Sequence, residues 1–139
     1  MGAIVEPILV HSPREAAVCS ACAALAMLPS VVRSSGRTTR ILHARRVIAA
    51  CLYEGPFLMS YPEVAAAVGL RSHSAAIEAV RACGFMVAAP ETRTAILAVY
   101  RAMYGVNPPD SLWDRIARHD PTLKKERALK DKQGMEAAC

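Results

Sequence analysis

Aromatic residues are scarce in this chain, with one Trp, four Tyr and two Phe among 139 residues. A β-sandwich fills its core with aromatic and β-branched side chains. This scarcity, beside an apolar fraction of 53% rich in alanine, therefore points to close-packed helices. No apolar run reaches the roughly 18 residues that a membrane span needs, and the N-terminus lacks the basic stretch that opens a secretory signal. No membrane association is expected, and the expected compartment is the cytoplasm. The five cysteines, at 19, 22, 51, 83 and 139, are odd in number and sit mostly in apolar helical patterns, which argues against a disulfide framework. Cys19 and Cys22 have C-x-x-C spacing, yet no second pair follows and no strand precedes them; they read as buried helical residues.

Motifs of catalysis are missing as well. There is no G-x-x-x-x-G-K-S/T phosphate loop and no H-E-x-x-H, and His11, His43, His73 and His119 are scattered. The expectation is a protein that is not an enzyme and holds no metal, nucleotide or other cofactor.

Acid is absent where it would matter most. No Asp or Glu occurs between Glu15 and Glu54, while Arg33, Arg37, Arg40, Arg45 and Arg46 all fall there. Five like charges with no carboxylate nearby in sequence repel one another unless an anionic partner takes them up. The net charge of +5 and a pI near 9.2 agree with such a partner.

What is present is a series of helix signals. "SPRE" at 12–15 supplies an N-cap, Ser12, a Pro at the first helical position and Glu15 three residues after the cap, and predicts a helix to about Leu25. Leu28 to Val32 reads as a short helical turn, and "RSSGRTTR" at 33–40 as a loop. A helix follows from about Thr39 until Gly55-Pro56 stops it. "SYPEV" at 60–64 repeats the start signal with Ser60 as cap and Glu63 at the reciprocal position, and Gly69 ends that helix in the left-handed conformation. Further helices are predicted from about Ser72, at about 91–104, and around Trp113. The mixed-charge run "KKERALKDK" reads as a solvated helix or frayed tail. The chain thus divides into an N-terminal arm (1–11), a helical domain (12–106) and a helical extension with a charged tail (107–139).

A helix of about two turns, a tight turn at Gly69 and a second helix from Ser72 have the dimensions of a helix-turn-helix, whose second helix enters the DNA major groove N-terminus first. Arg71 is suited to phosphate or guanine, Ser74 to a base edge and Ala75 to a thymine methyl. By helical angle His73 lies toward the core and meets a base only if the helix end points into the groove. A Ser/Gly/Thr loop carrying Arg37 and Arg40 can reach into a minor groove. Arg45 and Arg46, in the first turns of the next helix, can hold phosphates.

The order of basic loop, "ARRVIA" (44–49), "SYPEVAAAVG" (60–69) and "LRSHSAAIEAVRA" (70–82) resembles the C-terminal DNA-binding domain of the bacterial replication initiator DnaA, from about Leu28 to Ala82. That family has an arginine-rich loop, an S-L-P-E-I-G helix and a G-G-R-D-H-T-T-V signature. The resemblance implies a minor-groove role for Arg37 or Arg40, and makes Arg46 the counterpart of the family arginine on the helix after the loop. The family's Arg-Asp-His-Thr-Thr falls on Arg71, Ser72, His73, Ser74 and Ala75. Arginine and histidine are kept and a hydroxyl is kept at Ser74, whereas the aspartate is replaced by Ser72 and the second threonine by Ala75.

The expected fold is all-α, a small helical domain with a Trp-repressor-like helix-turn-helix and a C-terminal helical extension. The expected partner is double-stranded DNA at DnaA-box-like sites, with a role in regulating replication or transcription of the kind a phage or mobile element encodes. The expected interface comprises Arg37, Arg40, Arg45, Arg46, Ser60, Arg71, Ser72, His73, Ser74 and Ala75. An alternative is an adaptor in which Leu112, Trp113 and Ile116, at helical spacing, and the tail bind a protein partner or a second copy.

Overall fold

The computed structural model describes residues 12–122; the arm at 1–11 and the "KKERALKDK" run lie outside them. Among the described residues there are seven helices and no strand. They are α1 (Pro13–Ala24), α2 (Pro29–Val32), α3 (Thr39–Glu54), α4 (Tyr61–Val68), α5 (His73–Met86), α6 (Pro90–Tyr104) and α7 (Asp110–Ala117). The chain is all-α, as its composition implies, and no described helix is long and apolar enough to cross a membrane.

Local chemistry fixes most of the helix ends. Ser12 caps α1 by accepting from the Glu15 amide at 3.1 Å, and Thr38 caps α3 by accepting from the Ile41 amide at 3.4 Å. At α4 the capping is reciprocal: Ser60 Oγ accepts from the Glu63 amide, while Glu63 Oε1 accepts from the Ser60 amide at 3.0 Å. Glu63 also pairs with Arg14 of α1. The Ser60 amide first, then the Arg14 side chain and the Ser60 hydroxyl, stabilise the carboxylate and bring its pKa down to about 2. A depressed carboxylate pKa contributes stability above the unfolded value of about 4.5, and that contribution is lost as pH falls toward 2. In Glu63→Gln, the drop in urea midpoint between pH 5 and pH 2.5 should therefore be smaller than in the native chain.

Helix α3 organises the core. Val47, Ile48, Ala49, Ala50, Cys51 and Leu52 are consecutive and all fully buried, so the second half of this helix is enclosed on every side. It packs against α1, α2, α4, α5, α6 and α7. Alanines at 49 and 50 let neighbouring helices come close, which is how a chain poor in aromatics fills its interior. Helix α1 lies mainly on α6, and α5 on α3 and α4. Cys22, Cys51 and Cys83 are buried, and burial raises their thiol pKa values, that of Cys83 up to about 12 despite the opposing charge of Arg46.

Helix α7 belongs to the same core. Leu112 and Ile116 are fully buried, and α7 packs on α5 and α3. Its close approach needs Gly84, where an added Cβ would come within 2.6 Å of the Ile116 carbonyl oxygen. Trp113 is half-buried with the Arg93 guanidinium 4.5 Å from its ring centroid. His119 Nε2 lies 2.5 Å from Glu54 Oε2, tying the end of α7 to α3. The first helix of the extension thus packs on the core formed by the preceding helices, and the apolar side chains at 112 and 116 are buried in that packing.

Candidate nucleic-acid interface

The loop between α2 and α3 is built from within. Ser34 Oγ donates to the Val31 carbonyl at 2.6 Å and accepts from the Gly36 amide at 3.2 Å. Arg33 reaches away from the loop, with Nε donating to the Ala67 carbonyl at 2.9 Å and Nη2 lying 2.8 Å from Glu15 Oε1. Arg45, on the second turn of α3, passes beneath the loop: Nε donates to the Val32 carbonyl at 2.6 Å and Nη2 to the Ser34 carbonyl. Arg45 is only 6% exposed. Burial, and then the neighbouring charge of Arg37, lower its pKa below the usual guanidinium range. Its main work is to hold the loop in shape, so the phosphate-holding role expected of it is open only to Nη1, which makes no hydrogen bond among the described residues.

The turn between α4 and α5 docks against this loop. Gly69 ends α4 at φ 74°, and its amide donates to the Ala65 carbonyl. An added Cβ there would come within 2.6 Å of Arg33 Cα and 2.7 Å of the Arg33 carbonyl oxygen, so the absence of a side chain permits both the turn and its contact with the loop. Ser72 then caps α5, its Oγ accepting from the Ala75 amide at 3.2 Å. That hydroxyl is engaged in helix capping.

These contacts bring a basic cluster together. Arg37 from the loop, Arg45 from α3 and Arg71 from the turn line one cavity of about 260 Å³ with Ser34, Ser35, Gly69, Leu70 and Ala75. A second cavity of about 190 Å³ shares Arg37, Arg45 and Ala75 and adds Arg46 and Glu78. Among the described residues Arg37, Arg46 and Arg71 have no ion-pair or hydrogen-bond partner for their side chains, although acid-poor sequence surrounds Arg33, Arg40 and Arg45 equally.

Other expected residues fall in different places. Arg40 points away from Arg37, with Nη2 donating to the carbonyls of Leu25 and Ala26 at 3.3 and 3.2 Å beyond the end of α1. It lines a separate apolar concavity with Met27, Leu28 and Val31. Ser60 is exposed at the start of α4, its hydroxyl engaged with Glu63. His73 is exposed, contrary to the inward position that its helical angle implies. It is the first residue of α5, and burial begins only at Ala76, so the helical face does not extend to it. Ser74 is exposed beside it and Ala75 is half-buried between the two cavities. Ser34 and Ser35 join the cluster without having been singled out from the sequence; they stand within the Ser/Gly-rich loop, but nothing local shows which way they face.

No family model, no curated protein and no solved structure matches this chain.

Proposed function

We propose that this protein binds double-stranded DNA with sequence preference, using the α4–turn–α5 unit as a Trp-repressor-like helix-turn-helix. The observation that carries this reading is the clustering of unpartnered Arg37, Arg46 and Arg71 around the exposed first turn of α5. Guanidinium groups without an ion-pair partner among the described residues, beside a helix N-terminus whose first two residues, His73 and Ser74, are exposed, form a surface suited to a polyanion. The resemblance to the DnaA C-terminal domain supports duplex DNA as that polyanion and DnaA-box-like sequences as the sites.

In this reading Arg37, rather than Arg40, is the loop arginine that reaches DNA, at the minor groove and the phosphate on its edge, because Arg40 is bonded to the carbonyls of Leu25 and Ala26. Arg46 and Arg71 contact phosphates flanking the major groove. His73 and Ser74 meet base edges, while Ser72 keeps α5 capped and Ala75 offers a methyl at the edge of the contact. In this reading the chain acts by occupying sites or competing for them in the control of replication or transcription.

The test is selection of bound duplexes from a random pool by the full chain, followed by titration of the enriched sequence and a scrambled control at two salt concentrations. Enrichment of a box-like motif is the expected result. Recovery of duplexes without a motif would reduce the function to sequence-independent binding. Failure to retain any duplex at low salt would overturn the proposal.

A further inference from the structure

We propose that the cavity between the 33–38 loop and the α4–α5 turn is a binding site for a single phosphate group, supplied either by a duplex backbone or by a free phosphate compound. Three guanidinium groups from separate parts of the chain, Arg37, Arg45 and Arg71, line it, and no carboxylate does. Arg45 carries the argument furthest. It is nine-tenths buried, held by the carbonyls of Val32 and Ser34 through Nε and Nη2, and retains Nη1 as an unused donor. The two carbonyls fix the plane of the guanidinium but leave its full positive charge beside that of Arg37.

A buried cation next to a second cation is costly in the absence of an anion. The donor set also indicates which anion. The Nε/Nη2 edge of Arg45 is spent on the two carbonyls, so Arg45 offers Nη1 from a rigidly held group that loses little freedom on binding. The guanidinium forks of Arg37 and Arg71 present the paired N–H groups that match two oxygens of a phosphate. The exposed arginines can close over the remaining oxygens from the loop side and the turn side. Ser35, whose hydroxyl has no partner among the described residues, adds a neutral donor at the rim. An occupying phosphate would bridge Arg37 to Arg71 and so brace the loop against the turn. The site does not depend on duplex binding, since a free phosphate compound satisfies the same donors.

The experiment uses inorganic phosphate as probe. Amide shifts of the full chain are followed during titration with sodium phosphate and, separately, with sodium chloride at matched ionic strength. Saturable shifts at Ser35, Gly69, Leu70 and Arg71 are expected with phosphate only, and Arg71→Ala, an exposed substitution, should weaken the phosphate affinity about tenfold. A short duplex is then added. Competition with phosphate beyond that produced by chloride identifies a backbone phosphate as the occupant, whereas phosphate binding undisturbed by the duplex assigns the site to a free compound. Chloride reproducing the shifts, or Arg71→Ala leaving phosphate affinity unchanged, overturns the site. A duplex that binds while phosphate leaves these amides unmoved overturns it too, without touching the DNA-binding reading. Phosphate binding with no duplex binding would uphold the site and count against that reading alone.

Discussion

Gly69→Ala is expected to destabilise the fold by about 2–4 kcal/mol, read as a fall in the urea midpoint with little change in slope. Two effects add at this position. The φ of 74° is one that an L side chain adopts at a cost of roughly 1–2 kcal/mol. The new methyl would also sit within 2.6 Å of Arg33 Cα, a backbone atom that cannot swing aside. Gly105 separates the two effects, because it has nearly the same conformation, φ 72°, but nothing within 4 Å of its Cβ position. Gly105→Ala should therefore cost only the conformational part, roughly 1–2 kcal/mol. Equal losses at the two positions would show that the contact between loop and turn contributes nothing. The larger loss at Gly69 matters for the site, since the same contact sets where Arg37 stands relative to Arg71 and the first turn of α5.

The parts of this molecule that a reader of the sequence can place are those governed by neighbours in the chain. Ser12, Ser60 and Gly69 each act within three or four residues of themselves, and each occupies the capping or terminating position that its type implies. Which arginines remain available is a different kind of question. Arg33, Arg40 and Arg45 are satisfied by Glu15 and by carbonyls at positions 25, 26, 32, 34 and 67, contacts that exist only once α1, α2, α3 and α4 have packed. An acid-free stretch from 16 to 53 therefore overstates how many guanidinium groups are left unbonded: Arg37 and Arg46 are, while Arg45 keeps its charge but has only Nη1 unengaged. His73 shows the limit of periodicity in the same way. Its helical angle matches Ala76 and Val80, which are buried, but a face has no meaning at a terminus where no opposing helix reaches. Leu112 and Ile116 fit an amphipathic stripe equally well whether the stripe meets a partner or its own domain. The room opened by Gly84 decides for the domain.

Arg37→Ala combined with Arg71→Ala should lower duplex affinity on the order of 100-fold at moderate salt, from two contacts each worth roughly tenfold. The double variant should remain folded, because neither side chain has a partner among the described residues and both are exposed. Exposed substitutions of that kind usually change stability by no more than about 0.5 kcal/mol. The loss would therefore report binding rather than unfolding, which a matched thermal melt can verify. Salt dependence adds a second, independent reading. Each guanidinium that displaces a counterion contributes about 0.9 to the log–log slope, so the slope should flatten by about 1.8. Arg40→Ala is the comparison that gives the result its meaning. It removes the same charge from the same acid-free stretch, but from a side chain turned toward the end of α1, and should leave both affinity and slope nearly unchanged. If Arg40→Ala weakened binding as much as Arg37→Ala, the interaction would depend on net charge alone, and the arrangement of loop, turn and α5 would not be reading DNA.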